Sequence, residues 1–177
     1  MTRRDFVGAS AETGDLRATL SGMAQFPTPS DDRWFEDYKT GAVYEFGDVT
    51  ITEEEILEFA RRFDPQPIHT DREFAAGGPF HGLIASGWHT SGIFMRLFAD
   101  NFLSTVASLA SPGVDELRWP HPVRPDDRLR LRVRIVETRP SRSKPDRGIV
   151  RTRAQLLNQE DQIVLSLVAV NLMLRRP

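Results

Sequence analysis

Ile56, Phe59, Ala60 and Phe63 recur at helical spacing and predict a helix with one apolar face. Thr52 and Glu55 stand three apart just ahead of it, a capping box in which the two side chains satisfy each other's backbone amides. The run Glu53 to Glu55 suits the positive end of the helix dipole, and Glu58 can reach Arg62 across one turn on the wet side. Pro65 ends this helix and leaves Asp64 at its exit. From Leu83 to Leu103 the pattern changes. It is apolar almost all round, with Ala85, Gly87, Ser91 and Gly92 interspersed, and predicts a long helix buried on most sides. A third rhythm is strict alternation: Arg128 to Ile135 puts four arginines on one face of a strand and four aliphatics on the other. Ile149 to Leu157 repeats it, with Val150, Thr152, Ala154 and Leu156 inward, and Ile163 to Leu174 is apolar on both faces and so belongs inside a sheet. Ala42 to Phe46, closed by Gly47-Asp48, and Val114 to Trp119, closed by Pro120-His121-Pro122, are shorter strand candidates. Ala75 to Pro79 reads as a flexible turn and Pro140 to Gly148 as a loop.

One all-round apolar helix and a set of strands with one apolar face each predict an α+β domain, a curved antiparallel sheet wrapped around a long central helix. The chain has 177 residues, which suits one domain spanning 33–177. Residues 1–32 show no sustained apolar period and read as a loose, flexible N-terminal arm, with order beginning near Trp34 and Phe35.

Composition narrows the chemistry. Without cysteine there is no disulfide, thiolate nucleophile or cysteine metal site. The stretch 83–103 has the roughly 20 residues a membrane span needs, but Arg96, Asp100 and its Ser, Thr and His positions argue against one. Thr2 to Val7 imitates a twin-arginine export signal, yet Glu12, Asp15 and Arg17 stand where the apolar stretch should follow, so a cytoplasmic protein is expected. Residues 1–64 carry 14 acidic and 7 basic side chains and the rest 11 and 16, an asymmetry that suits an anionic partner for the second part. Nucleic acid is disfavoured, because the basic residues lack interleaved aromatics and the net charge is −2.

The candidate chemistry lies in Phe63-Asp64-Pro65-Gln66-Pro67-Ile68-His69-Thr70-Asp71. Two prolines stiffen the segment into an extended bridge with a carboxylate and an imidazole at its ends. Such a pair can share one water or one substrate proton, the working unit of acid–base catalysis. A helix stop followed by a surface loop with an incidental histidine is the plainer alternative.

These residues resemble the MaoC-like acyl-CoA dehydratases, a family that includes the (R)-specific enoyl-CoA hydratases and has the hot-dog fold. The family's hydratase motif has the form Asp-x-Asn-Pro-aliphatic-His-x-Asp, and Asp64 to Asp71 is similar to it, with Gln66 in place of asparagine and Ile68 as the aliphatic. His81 to Ser86 resembles the entry to the family's central helix, and Pro122 to Asp127 its Pro-Val-x-Pro-Gly-Asp turn, with Asp126 for glycine. The likeness covers roughly residues 33–175. It implies hydration of a trans-2-enoyl-CoA, or dehydration of an (R)-3-hydroxyacyl-CoA in fatty acid metabolism. Asp64 would be the base for water, His69 the acid for the α-carbon, and the amide of Gly82, near the helix start, the donor to the thioester oxygen. The family's helix hydroxyl falls on Thr90, which with Gln66 and Ile68 would contact substrate. No cofactor is implied beyond the coenzyme A of the thioester. A thioesterase of the same fold and a non-catalytic acyl-CoA-binding or partner subunit are the alternatives.

The remaining candidates have plainer readings beside them. Arg142, Lys144 and Arg147 could contact coenzyme A phosphates or form a solvated loop. His89 reads as a packed core residue, His81 as site neighbour or helix-entry packing, His121 as a turn residue, and Asp71 as orienting its own loop. Asp64, His69, His81 and His89 match no metal-ligand spacing, so no metal is expected. A single wrapped sheet leaves long edges, which predicts a homodimer or higher homo-oligomer.

Overall fold

The computed structural model describes residues 26–177. Strands β1 (Val43–Thr50), β2 (Ser108–Arg118), β3 (Arg128–Pro140), β4 (Arg147–Leu157) and β5 (Ile163–Leu174) form one antiparallel sheet in the order β1-β3-β4-β5-β2. Helices α1 (Glu53–Phe63), α2 (Pro67–Thr70), α3 (Arg72–Gly77) and α4 (Gly87–Asn101) all precede β2. The alternation in β3 sends Leu129, Leu131, Val133 and Ile135 inward and leaves the arginines outside, where Arg130 and Arg132 both pair with Glu45 of β1. β5 lies between β4 and β2, as its two apolar faces require. Among the described residues, no helix is long and apolar enough to cross a membrane.

α4 packs on β1, β3 and β5. Phe94, Phe98 and Phe102 recur every four residues on its inner face and stack at centroid distances of 5.1 and 4.8 Å, filling the space between helix and sheet. Fully burying each ring contributes about 1.5–3 kcal/mol. The helix is not enclosed on most sides, however: Trp88 and Met95 are exposed. It is also shorter than the apolar run suggests. Leu83, Ile84 and Ala85 are buried but irregular, and neighbours rather than a helix engage their backbone: Ala85 N–H donates to Val123 O (2.8 Å) and Ile84 N–H to Ile68 O (3.5 Å).

Other boundaries shift for physical reasons. Gly47-Asp48 does not end β1 but forms a bulge between Phe46 and Val49. Gly47 has φ +87°, and a Cβ there would lie 2.7 Å from Leu97 Cδ2 of α4. Ala75 and Ala76 belong to α3, capped by Asp71, whose carboxylate accepts from the amides of Glu73 and Phe74. The capping box of α1 forms as expected, but its buried face is Ile56, Leu57 and Ala60; Phe63 is exposed, with the Arg62 guanidinium 4.9 Å from its centroid. No Glu58–Arg62 ion pair forms among the described residues.

Residues 1–25 of the expected arm lie outside the described residues; 26–32 are not loose. Phe26 stacks on Tyr44 (4.6 Å) and meets Tyr38 and Phe102 edge-on. Buried Arg33 lies 3.6 Å from the Phe26 centroid and donates to the carbonyls of Asn101 (2.8 Å) and Phe102 (2.7 Å) at the end of α4. Helix C-termini leave such carbonyls unmet. That need, invisible to apolar periodicity, docks the segment.

Candidate active site

Asp64 caps the end of α1, its amide donating to Ala60 O (2.9 Å), and Pro65 prevents the helix from continuing. Gln66 then caps α2, with Pro67 at its first turn, where a missing amide costs nothing. The bridge is therefore not wholly extended. Its second proline starts one helical turn, and that turn carries His69 inward, 5% exposed.

The two ends of the bridge meet. His69 Nε2 lies 3.5 Å from Asp64 Oδ2. On its other side the ring places Nδ1 2.8 Å from Ile84 O. A carbonyl only accepts, so Nδ1 carries the hydrogen and Nε2 is the atom left to exchange protons. Asp64 Oδ2 accepts from Ser86 Oγ (2.6 Å) and Oδ1 from Gln66 Nε2 (2.7 Å). The Ser86 hydroxyl, then the Gln66 amide, hold the Asp64 carboxyl below the usual carboxylate range, and the nearby His69 adds less. Asp64 is thus an anion at neutral pH. The 3.5 Å separation from His69 exceeds an ordinary hydrogen bond, and one atom to the side of the pair can lie within hydrogen-bond distance of both. Asp64 keeps 18% of its side-chain exposure against 6% for His69, so solvent reaches the pair through the carboxylate.

Ser86 was not legible as a site residue. It is wholly buried, caps α4 by accepting from Trp88 N–H (3.2 Å), and ties the Asp64 carboxylate to the start of that helix. A serine before a helix is a capping signal, but an expected start at Leu83 hides it inside the helix.

Gly82 is placed differently from expectation. It lies five residues ahead of α4, and its amide already donates to Ala75 O (3.0 Å), so it presents no helix N-terminal donor. The first residue of α4 is Gly87, whose amide has no intrahelical partner. A Cβ at Gly87 would come within 2.7 Å of the Trp119 indole, which in turn meets Trp88 edge-on at 5.5 Å. Thr90 is buried, with its hydroxyl turned back to Ser86 O (3.2 Å). Ile68 joins the site through its carbonyl, which holds Ile84.

Arg142 and Lys144 are not brought to the pair. Pro145 and Asp146 of the turn carrying them neighbour Trp34 and Arg175, and Arg33 beside Trp34 bonds the last carbonyls of α4, whereas Asp64 is bonded to Ser86 at the start of that helix. His89 stacks on Phe59 (4.8 Å, 9°), and burial holds its imidazole below the ordinary range, with Glu55 opposing. His81 is exposed, and His121 contacts Ile163 O through Nδ1 (3.0 Å). No three His, Asp or Glu side chains gather to hold a metal among the described residues. Open clefts lined by Glu54, Glu58, Arg61 and Arg62, and by Phe26, Arg33, Glu45 and Asn101, include neither Asp64 nor His69.

Known proteins share the sequence and fold of this chain. A MaoC-like domain model matches residues 37–156. A crystal structure of a MaoC-like dehydratase from Rhodospirillum rubrum is 37% identical, with a TM-score of 0.77 over 82% of this chain and 99% of that one. A Mycobacterium tuberculosis protein described as a double hot-dog fold is 20% identical, with a TM-score of 0.66 over 85% of this chain and 46% of that one. The 3-hydroxyacyl-thioester dehydratase Z of M. tuberculosis is 39% identical over 90 residues, 50% of this chain and 60% of the relative's length. With its five-stranded sheet wrapped on α4 and its matched core, the chain has the hot-dog fold and belongs to the MaoC-like domain family.

Proposed function

We propose that the protein is a hydro-lyase that adds water to a trans-2-enoyl thioester, or removes it from the (R)-3-hydroxyacyl thioester. The observation that carries this reading is the 3.5 Å approach of Asp64 Oδ2 to His69 Nε2, each held from its far side. Asp64 takes a proton from water as its oxygen bonds to the β-carbon. His69 enters the step as the imidazolium and hands its Nε2 proton to the α-carbon, and transfer of the proton that Asp64 took from water to Nε2 resets both groups. Negative charge grows on the thioester oxygen, and the Gly87 amide at the start of α4 is the proposed donor, aided by the positive end of the helix. The reaction needs no cofactor beyond the carrier of the acyl group.

Hydration of crotonyl-CoA and longer enoyl-CoAs tests the reading. Asp64→Asn and His69→Ala are expected to lower kcat by about 10²–10⁴-fold while retaining a cooperative unfolding transition. Variants as active as wild type on an accepted substrate would refute it. Release of free thiol, read with a disulfide reagent, would indicate a thioesterase instead, and calorimetric binding without turnover a non-catalytic acyl-CoA-binding subunit. We further propose a homodimer. β2 is a sheet edge exposing Leu109 and Val114, and Trp88, Met95 and Trp119 are exposed nearby or on α4, more apolar surface than one copy covers. Sedimentation as a monomer at micromolar concentration would overturn that.

A further inference from the structure

Arg124 stands on a turn fixed at both ends. Its amide donates to Asp127 Oδ2 (2.8 Å), and its carbonyl accepts from Asp127 N–H (3.2 Å). The preceding carbonyl, Val123 O, accepts from Ala85, the residue before Ser86, so this turn is bonded to the backbone that shapes the acid–base pair. The guanidinium is only partly committed. Nη2 donates to Phe80 O (2.6 Å), while Nη1 lies 3.5 Å from where a Cβ on residue 82 would be. Any side chain at Gly82 would cover that edge, and glycine (φ +148°) leaves it open.

Arg124 also lacks a counter-charge. Arg128, Arg130, Arg132 and Arg151 each meet a carboxylate, but no carboxylate lies within 4.0 Å of the Arg124 guanidinium among the described residues. Asp127, the nearest acid along the chain after Asp126, is engaged by the Arg124 amide and by Gln159 Nε2 (2.8 Å). A partly buried, oriented guanidinium with free donors is built for a planar or tetrahedral oxyanion.

We propose that Arg124 binds the phosphate at the far end of the phosphopantetheine arm that carries the acyl thioester. This rests on the thioester reading of Asp64 and His69. Coenzyme A and acyl carrier proteins both present that phosphate, so the site recognises what the two share.

Crotonyl thioesters of coenzyme A, phosphopantetheine and pantetheine, the last without phosphate, test the assignment with wild type, Arg124→Gln and Arg124→Lys. Arg124→Gln is expected to lose about 10–100-fold in kcat/KM on the first two and nothing on the third. Arg124→Lys, a point charge without the fork, is expected to fall between. Equal losses on all three would show a merely structural role, and loss on coenzyme A alone would place the contact on its nucleotide; either overturns the proposal. Should wild type turn over no thioester, the hydro-lyase reading fails, and calorimetric binding of coenzyme A and phosphopantetheine then decides. Weaker binding of both by Arg124→Gln supports the phosphate site; equal binding, or none by either protein, overturns it.

Discussion

Asp64 carries the site's charge, and three neighbours set its behaviour. Ser86 is the largest of the influences that lower its pKa, so Ser86→Ala raises the carboxyl toward its ordinary value. Catalysis by the ionised form then requires higher pH, and the acidic limb of the kcat/KM profile moves upward; an unmoved limb would separate Ser86 from Asp64. The stability sign follows the same shift. A carboxyl depressed on folding stabilises above its unfolded pKa, near 4, and that contribution is lost as pH falls through the lower folded value. Ser86→Ala narrows that acid-side dependence and also removes the α4 cap, at about 0.5–2 kcal/mol in urea unfolding at pH 7. Gln66, which stands where the resemblance expects asparagine, donates its side-chain amide to Oδ1. The Asp64–His69 pair was legible because prolines restrict the chain whatever surrounds it. Ser86 was not, because its partner is 22 residues away and only the fold brings them together.

Among elements, α1 was the most legible, since cap, dipole and stop signal are local and agree. The start of α4 was misplaced because buried irregular chain and buried helix share an apolar composition; only the long-range bonds of Ile84 and Ala85 separate them. The β1 bulge has the same origin, a glycine whose reason lies on another element. Gly47→Ala is expected to destabilise by about 1–3 kcal/mol, through positive φ and overlap with Leu97, and chemical denaturation measures it. In that variant Leu97→Ala makes room, so the two costs should not add. Phe98→Ala opens the middle of the stacked column and is expected to cost about 3–5 kcal/mol in the same assay.

At the scale of the molecule, α4 is held at both ends, by Asp64 and Ser86 where it begins and by Arg33 and Tyr38 where it stops. Arg33→Ala leaves the Asn101 and Phe102 carbonyls without their donor and is expected to lower the unfolding temperature, at about 1–3 kcal/mol. Gly87 beneath the Trp119 ring has a practical consequence. An indole resting on the residue where a thioester is proposed to dock is an unlabelled optical probe, quenched or shifted when that spot fills. Of the three tryptophans, Trp34 lies at the opposite end of α4, so Trp34→Phe would darken the background and leave the emission of Trp88 and Trp119 to follow ligand arrival in real time.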